Sequence, residues 1–287
     1  MKVFELTRCA SCAVVLLGLV MAPLLGWAQD IDGVPEGGQA DESSNTESDG
    51  QRIGVQEDWT VAIGLASFSV PLYSGDDDTE SLVVPNLEVR YRDKLNLSFL
   101  TGINYDLLNR PGWRAGPFLD WDFGRDINSE LVGFDEIRGG LELGGFVDYI
   151  RGDFTARIKV LQGVDGHGGT SITATFRHAK LYDTGLIPLF FLIGPALRFG
   201  NSEYLNTFYG VSEEQSLSSG LPQTSLSQGI ISYGLDAVLV VPLSRKVFIR
   251  NFFLVEVLTG DVDDSPIVTN AGDEFQRTLG IEFGYLF

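Results

Sequence analysis

Cysteine, histidine and methionine are nearly missing from this sequence: two of each in 287 residues. Both cysteines, Cys9 and Cys12, fall in the first twelve residues. The remainder therefore carries no disulfide framework, thiolate metal site or cysteine nucleophile. The two histidines, His167 and His178, are too few for a His-rich metal centre. Cations are scarce as well. There are 20 Lys and Arg against 39 Asp and Glu, a net charge of -19. That excludes nucleic acid as a partner, because neutralising phosphates needs clustered Lys and Arg. After the N-terminal segment there is no long apolar run. The longest, 186–197, contains Pro188 and Pro195, so no mature segment crosses a bilayer as a helix. Nothing in the sequence calls for a cofactor.

What is present begins with a processing segment. Lys2 and Arg8 form a positive start, and an apolar stretch runs from Ala13 to Leu25. Gly26-Trp27-Ala28 then offers small residues before Gln29. This is the pattern of a secretory signal peptide over 1–28, cleaved between Ala28 and Gln29. Residues 29–58 are rich in Asp, Glu, Gly and Ser, with Arg52 as the one base. They cannot bury enough apolar surface to fold alone, so they read as an acidic disordered linker.

From Trp59 onward the apolar period is two. Trp59, Val61, Ile63 and Leu65 share a face, as do Leu141, Leu143, Val147 and Tyr149, and Val247, Ile249, Phe253 and Val255. The opposite faces carry charge: Glu88, Arg90 and Arg92, then Glu142 and Asp148, Arg157 and Lys159, Asp236, Arg250, Glu256 and Glu282. A soluble sandwich also alternates. These strands, however, are long, about ten to thirteen residues against a mode near five or six, and aromatics cluster near their ends. With no spanning helix, a closed barrel is the remaining way across a membrane. The expected fold is all-β: a transmembrane antiparallel β-barrel over 59–287 with about twelve strands, or ten as the alternative. Eleven candidates lie near 59–70, 81–92, 95–107, 113–124, 137–150, 153–164, 170–180, 187–200, 230–242, 246–258 and 274–287. Single-chain barrels have even strand numbers. A twelfth strand is therefore expected in 201–229, around Tyr204, Leu205, Phe208, Tyr209 and Val211.

Four ordered motifs then point to a family. They are Thr207-Phe208-Tyr209-Gly210-Val211 with Gln215-Ser216 and Ser219-Gly220-Leu221-Pro222; Leu258-Thr259-Gly260-Asp261 with Asp264-Ser265-Pro266-Ile267-Val268; Trp113 with Gly116-Pro117 and Asp122 to Asp126; and Gln162-Gly163 with Gly166-His167-Gly168-Gly169. The sequence resembles the MipA/OmpV family of outer-membrane proteins over 59–287. The resemblance implies a Gram-negative outer membrane and a non-enzymatic scaffold that links a murein lytic transglycosylase to a penicillin-binding protein. The C-terminal Phe283, Tyr285 and Phe287 resemble the assembly signal of outer-membrane barrels. Expected contacts also include outer-membrane lipid and lipopolysaccharide. The acidic leader is longer than expected for the family.

Other constellations read more blandly. His167 lies among glycines, as in a turn. Asp76-Asp77-Asp78 and Asp261 to Asp264 lack EF-hand spacing and read as solvated loops. Arg151-Gly152-Asp153 matches an adhesion tripeptide but sits where a tight hairpin turn belongs. No catalytic or metal residues are assigned. Glu88, Arg90, Glu142, Arg157, Asp236, Arg250, Glu256 and Glu282 are candidate lumen charges, whose mixed signs allow either pairing across the lumen to plug it or lining of a narrow pore; the alternative function is a small-solute channel.

Overall fold

The computed structural model describes residues 58–108, 110–125 and 131–287. The signal segment assigned to 1–28 and, apart from Asp58, the linker assigned to 29–58 lie outside them, with Ala28 and Gln29. The described residues form a closed antiparallel barrel of twelve strands, ordered β1-β12-β11-β10-β9-β8-β7-β6-β5-β4-β3-β2. The strands are β1 Trp59–Pro71, β2 Thr79–Tyr91, β3 Leu95–Ser98, β4 Gly102–Tyr105, β5 Trp113–Arg125, β6 Ile137–Arg151, β7 Phe154–Gly163, β8 Thr170–Asp183, β9 Pro188–Gly200, β10 Gly229–Pro242, β11 Val247–Leu258 and β12 Phe275–Leu286. Closure is made by β1 against β12, with Ile63 opposite Tyr285 and Leu65 opposite Phe283. The Phe287 N–H adds a bond to the Val61 carbonyl at 2.9 Å.

The two-residue period becomes two faces. Leu65, Ile158, Ile281 and Phe283 point outward and are exposed. Ala66, Phe68, Glu88, Asp148, Asp236 and Arg250 point inward and are buried. An apolar exterior around a polar interior is the arrangement of a barrel that faces lipid.

Twelve strands are present, but the twelfth is not where the sequence suggested. The segment 201–229 is helical: α1 spans Ser202–Tyr209 and α2 spans Glu213–Ser219. Asn201 caps α1 by accepting from the Tyr204 N–H, and Ser212 with Gln215 forms a capping box on α2. Those caps satisfy amides that a strand would have offered to a neighbour. Even parity is instead reached inside 95–107, which folds back on itself as β3 and β4. Gly102 turns the corner at φ 79°, where a side chain would be strained.

The β3–β4 hairpin is short. It pairs with β2 only from Glu88 to Tyr91 and with β5 only through Ile103–Leu119 and Asn104–Phe118. Beyond it, among the described residues, no strand pairs with the facing edges of β2 and β5. Pro85 sits on that β2 edge. Leu87 offers its carbonyl to the Phe99 N–H, so Pro85, two residues away, turns its nitrogen the same way. A proline is tolerated there because no ladder partner waits for its N–H.

Connections differ sharply between the two ends. At one end, the turns at 92–94, 152–153 and 243–246 are tight. At the other, long segments fold into a dome that includes α1, α2 and α3 (Pro266–Ala271).

Candidate functional site: the charged lumen and the dome

Inward strand positions place charged groups beside one another across the lumen. Arg157 donates to Asp148 from the neighbouring strand at 2.6 and 2.8 Å. Other pairs step over one intervening strand. Lys159 on β7 reaches Asp120 on β5 at 2.8 Å, Arg177 on β8 reaches Asp236 on β10 at 2.7 Å, and Arg198 on β9 reaches Glu256 on β11 at 3.3 Å. Arg250 spans furthest. It meets Glu282 on β12 at 3.4 Å and Glu88 on β2 at 3.1 Å. Arg90 completes that group at 3.0 Å from Glu88, and Asn86 donates to Glu282 at 2.9 Å. Each of these side chains is thus held by opposite charge or hydrogen bonding inside the wall. Breaking one member would leave the other charged and buried, the costly case.

All eight residues assigned to the lumen from sequence lie on the inward face. Glu88, Glu142, Arg157, Asp236, Arg250, Glu256 and Glu282 are buried and Arg90 is half-buried. Arg92, taken as inward, is corrected: it is exposed in the β2–β3 turn at φ 49°, where it binds Asp58 through two hydrogen bonds. Those bonds hold the Asp58 carboxyl below its usual range and raise the Arg92 guanidinium. Sequence reading missed Asp120, Arg177 and Arg198. Strand parity alone could have found them. It also missed an inward apolar belt. Phe68 stacks on Phe252 at 5.4 Å, and Val84, Leu100, Phe190, Val238 and Phe248 belong to the same buried cluster.

The dome closes the long-segment end with apolar chemistry. Tyr204, Leu205, Phe208 and Tyr209 lie on one face of α1 and pack with Leu226, Ile231, Leu258, Val262 and Val268. A second cluster joins Tyr73, Leu131, Phe134, Val211 and Ile267. Polar ties fix it to the barrel. Arg125 donates to the Phe208 carbonyl at 2.8 Å, and Ser265 donates to the Tyr209 carbonyl at 2.6 Å. The Tyr209 hydroxyl meets Ser74 at 2.5 Å, and the Tyr73 hydroxyl donates to the Ala271 carbonyl. Gln276 receives the Gly75 N–H at 3.1 Å and donates to the Asp76 and Asp273 carbonyls. Asp76 is buried, so its loop is not a freely solvated acidic turn.

His167 marks where dome and lumen meet. Its loop is a turn, but the imidazole is buried edge-on against Tyr204 and Phe208, with Nε2 3.3 Å from Glu142. Gly169 is needed beside it, because a Cβ there would run into the backbone of Tyr204. Burial works against the imidazolium. Glu142, Asp122 and Glu203 outweigh it and raise the His167 pKa. Burial pushes the Tyr204 hydroxyl well above its ordinary pKa. Chemically, the arrangement is a latch of one imidazole on one carboxylate. Among the described residues no group of three His, Cys, Asp or Glu is placed to hold a metal.

At the short-turn rim, Arg151-Gly152-Asp153 is a hairpin turn with Gly152 at φ 57°. Phe283 and Tyr285 lie on the outer face of β12, and Phe287, just past its end, is exposed as well.

The motifs quoted from the sequence map largely onto the dome and its latch. A family model described as MltA-interacting protein MipA matches residues 63–287. No curated protein matches the chain. Among solved structures, the chain is similar to OmpT, an outer membrane protein of Vibrio cholerae, with 10% identity, a TM-score of 0.32, and coverage of 82% of this chain and 100% of that one. It is similar to an anion-selective porin from Comamonas acidovorans, with 11% identity, a TM-score of 0.31, and coverage of 80% and 98%. It is also similar to the N-terminal β-barrel domain of Pseudomonas aeruginosa OprF, with 9% identity, a TM-score of 0.22, and coverage of 79% and 97%.

Proposed function

The chain belongs to the MltA-interacting protein MipA family, and from that premise we propose that it is a non-enzymatic scaffold of the Gram-negative outer membrane. Its partners on this reading are a murein lytic transglycosylase and a penicillin-binding protein. The signal peptide over 1–28 directs export, and Phe283, Tyr285 and Phe287 act as the assembly signal. The short turns face the periplasm and the dome faces outward, the usual disposition of such barrels. Partners then meet the periplasmic turns and the acidic leader over 29–58.

One observation carries this reading over the channel alternative. The lumen side chains are engaged with one another, from Arg157–Asp148 to Arg250–Glu88, and the dome roofs them. A pore selective by charge turns its side-chain charges on passing ions, whereas these are engaged with one another. A scaffold needs only a stiff barrel with surfaces. His167, the histidine at the lumen's dome end, is engaged with Glu142 and packs on rings.

The test is binding of a purified MltA-type lytic transglycosylase to the chain reconstituted in bilayer nanodiscs, with and without 29–57. Saturable binding supports the scaffold. No binding to either form, with ion conductance in its place, would move the protein to the channel class.

A further inference from the structure

Basic residues are distributed unevenly between the two ends of this acidic barrel. Among the described residues, the dome segments 72–78, 131–136, 164–169, 201–228 and 259–274 contain carboxylates but no Lys or Arg. The cations gather at the short-turn rim, where Arg92, Lys94, Arg151, Lys180 and Lys246 stand among the carboxylates Asp58, Asp93, Asp153 and Asp183. Several of these cations lie over the aromatic residues of the same rim. Arg92 is 5.2 Å from the Tyr91 ring, Lys180 5.2 Å from Tyr182, and Lys246 5.7 Å from Tyr285. Rings at this level mark the boundary between acyl chains and head groups.

The outer surface is concave beside Arg151 on this rim. A groove of about 370 Å³ is lined by Tyr149, Arg151, Phe154, Ala156 and Phe176. Strand register explains its shape. Tyr149, Ala156 and Phe176 form one outward row across β6, β7 and β8, and Arg151, Phe154 and His178 form the next row toward the turns. Ala156 is the small residue between two rings, so it forms the floor. Phe154 and Phe176 stack at 5.6 Å with 13° between planes and make one wall, backed by His178 at 4.7 Å. Tyr149, itself 4.8 Å from Trp113, makes the other. Arg151 stands at the mouth, exposed, with no ion-pair partner among the described residues. Asp153, two residues on, makes no ion pair with it.

We propose that this groove is a binding site for a single glycerophospholipid, with one acyl chain lying over Ala156 between the rings and the phosphodiester held by Arg151. The groove is apolar where a chain lies and cationic where a phosphate lies, in the order the membrane boundary imposes. A guanidinium suits this task because its N–H fork matches phosphate oxygens. The site lies on the outer surface of β6 to β8 and rests on the membrane placement of the proposed function, not on its protein partners.

The test uses the full chain refolded into detergent micelles and native mass spectrometry, with phosphatidylglycerol as the probe and phosphatidylethanolamine as a second. The expected result is one retained lipid on the wild-type chain. Arg151→Gln should weaken retention by about tenfold or more, as expected for losing charge-assisted bonds. Ala156→Leu keeps the charge but fills the floor, and should weaken retention comparably. Lys246→Gln, on the same rim away from the groove, should leave it unchanged. Heat-modifiable mobility on gels confirms that each variant is folded. Equal retention of both lipids supports the phosphodiester as the recognised group, and preference for phosphatidylglycerol supports the site with net charge added. Unchanged retention in both groove variants overturns the proposal, and so does an equal loss in Lys246→Gln, which would mean diffuse rim attraction.

Discussion

The lumen and the dome both close this barrel, and they do so by opposite chemistries. The lumen is held by charges that must find one another across strands, as when Arg250 joins β11 to β12 and β2. The dome is held by rings and aliphatic side chains from α1, α3 and the loops around them. Buried charge pairs add little net stability over apolar packing, but lose heavily when one member goes. Apolar packing is graded, and its loss follows the volume removed. The lumen should therefore fail abruptly and the dome by degrees.

Arg250→Ala tests the abrupt side and should have the largest effect. It leaves Glu88 to Arg90 alone and Glu282 to Asn86 alone in the wall, and should cost about 3–5 kcal/mol in denaturant unfolding followed by tryptophan fluorescence. The comparison sharpens if both members of a pair are removed. Asp148→Leu with Arg157→Met should recover most of the loss caused by Arg157→Met alone. A double variant as unstable as the single one would show that the pair stabilises beyond mutual neutralisation.

Leu205→Ala tests the graded side. Leu205 is almost fully buried beneath α1, and a core Leu→Ala change costs about 2–5 kcal/mol. Here the loss should appear as faster hydrogen exchange and proteolysis of 201–228, with the strands unaffected. Global unfolding at the same denaturant concentration would break the distinction between dome and wall. Asn201→Ala should cost less, about 1 kcal/mol, because it removes only the cap of α1.

The smallest effect joins the two regions. The folded pKa of His167 is raised, through Glu142, Asp122 and Glu203. Its contribution is therefore fully present below the ordinary histidine value, about 6.5, and is lost as pH rises through the folded pKa. Protease cleavage within the dome should speed up across that window. His167→Gln should make cleavage independent of pH there. A pH dependence that persists in the variant would assign it to another group.

Much of the wall was legible in the sequence, because a period of two survives wherever lipid lies on one side and paired charge on the other. Two failures are instructive. The residues Leu95, Leu97, Phe99, Thr101, Ile103 and Tyr105 alternate without a break, yet the chain reverses in their midst. Leu95 pairs with Tyr105 and Leu97 with Ile103, so the hairpin preserves parity and hides its own turn. Gly102 was the sole clue. The opposite error came at 201–229, where strand parity was sought in Tyr204, Leu205, Phe208 and Tyr209. Their spacing of one, four and five is that of a helix face. The lumen charges were legible as inward residues, but their partners were not, since Lys159–Asp120 and Arg177–Asp236 each step over a strand. The His167 latch was hidden for a related reason: its neighbours Tyr204 and Phe208 are distant in sequence.

The most direct test of the central claim is single-channel conductance of the refolded chain in a planar bilayer. Interlocked lumen charges beneath a packed dome predict a silent barrel, with current emerging in Arg250→Ala. Steady, reproducible conductance in the wild-type chain would contradict the account and make the inward charges the lining of a pore.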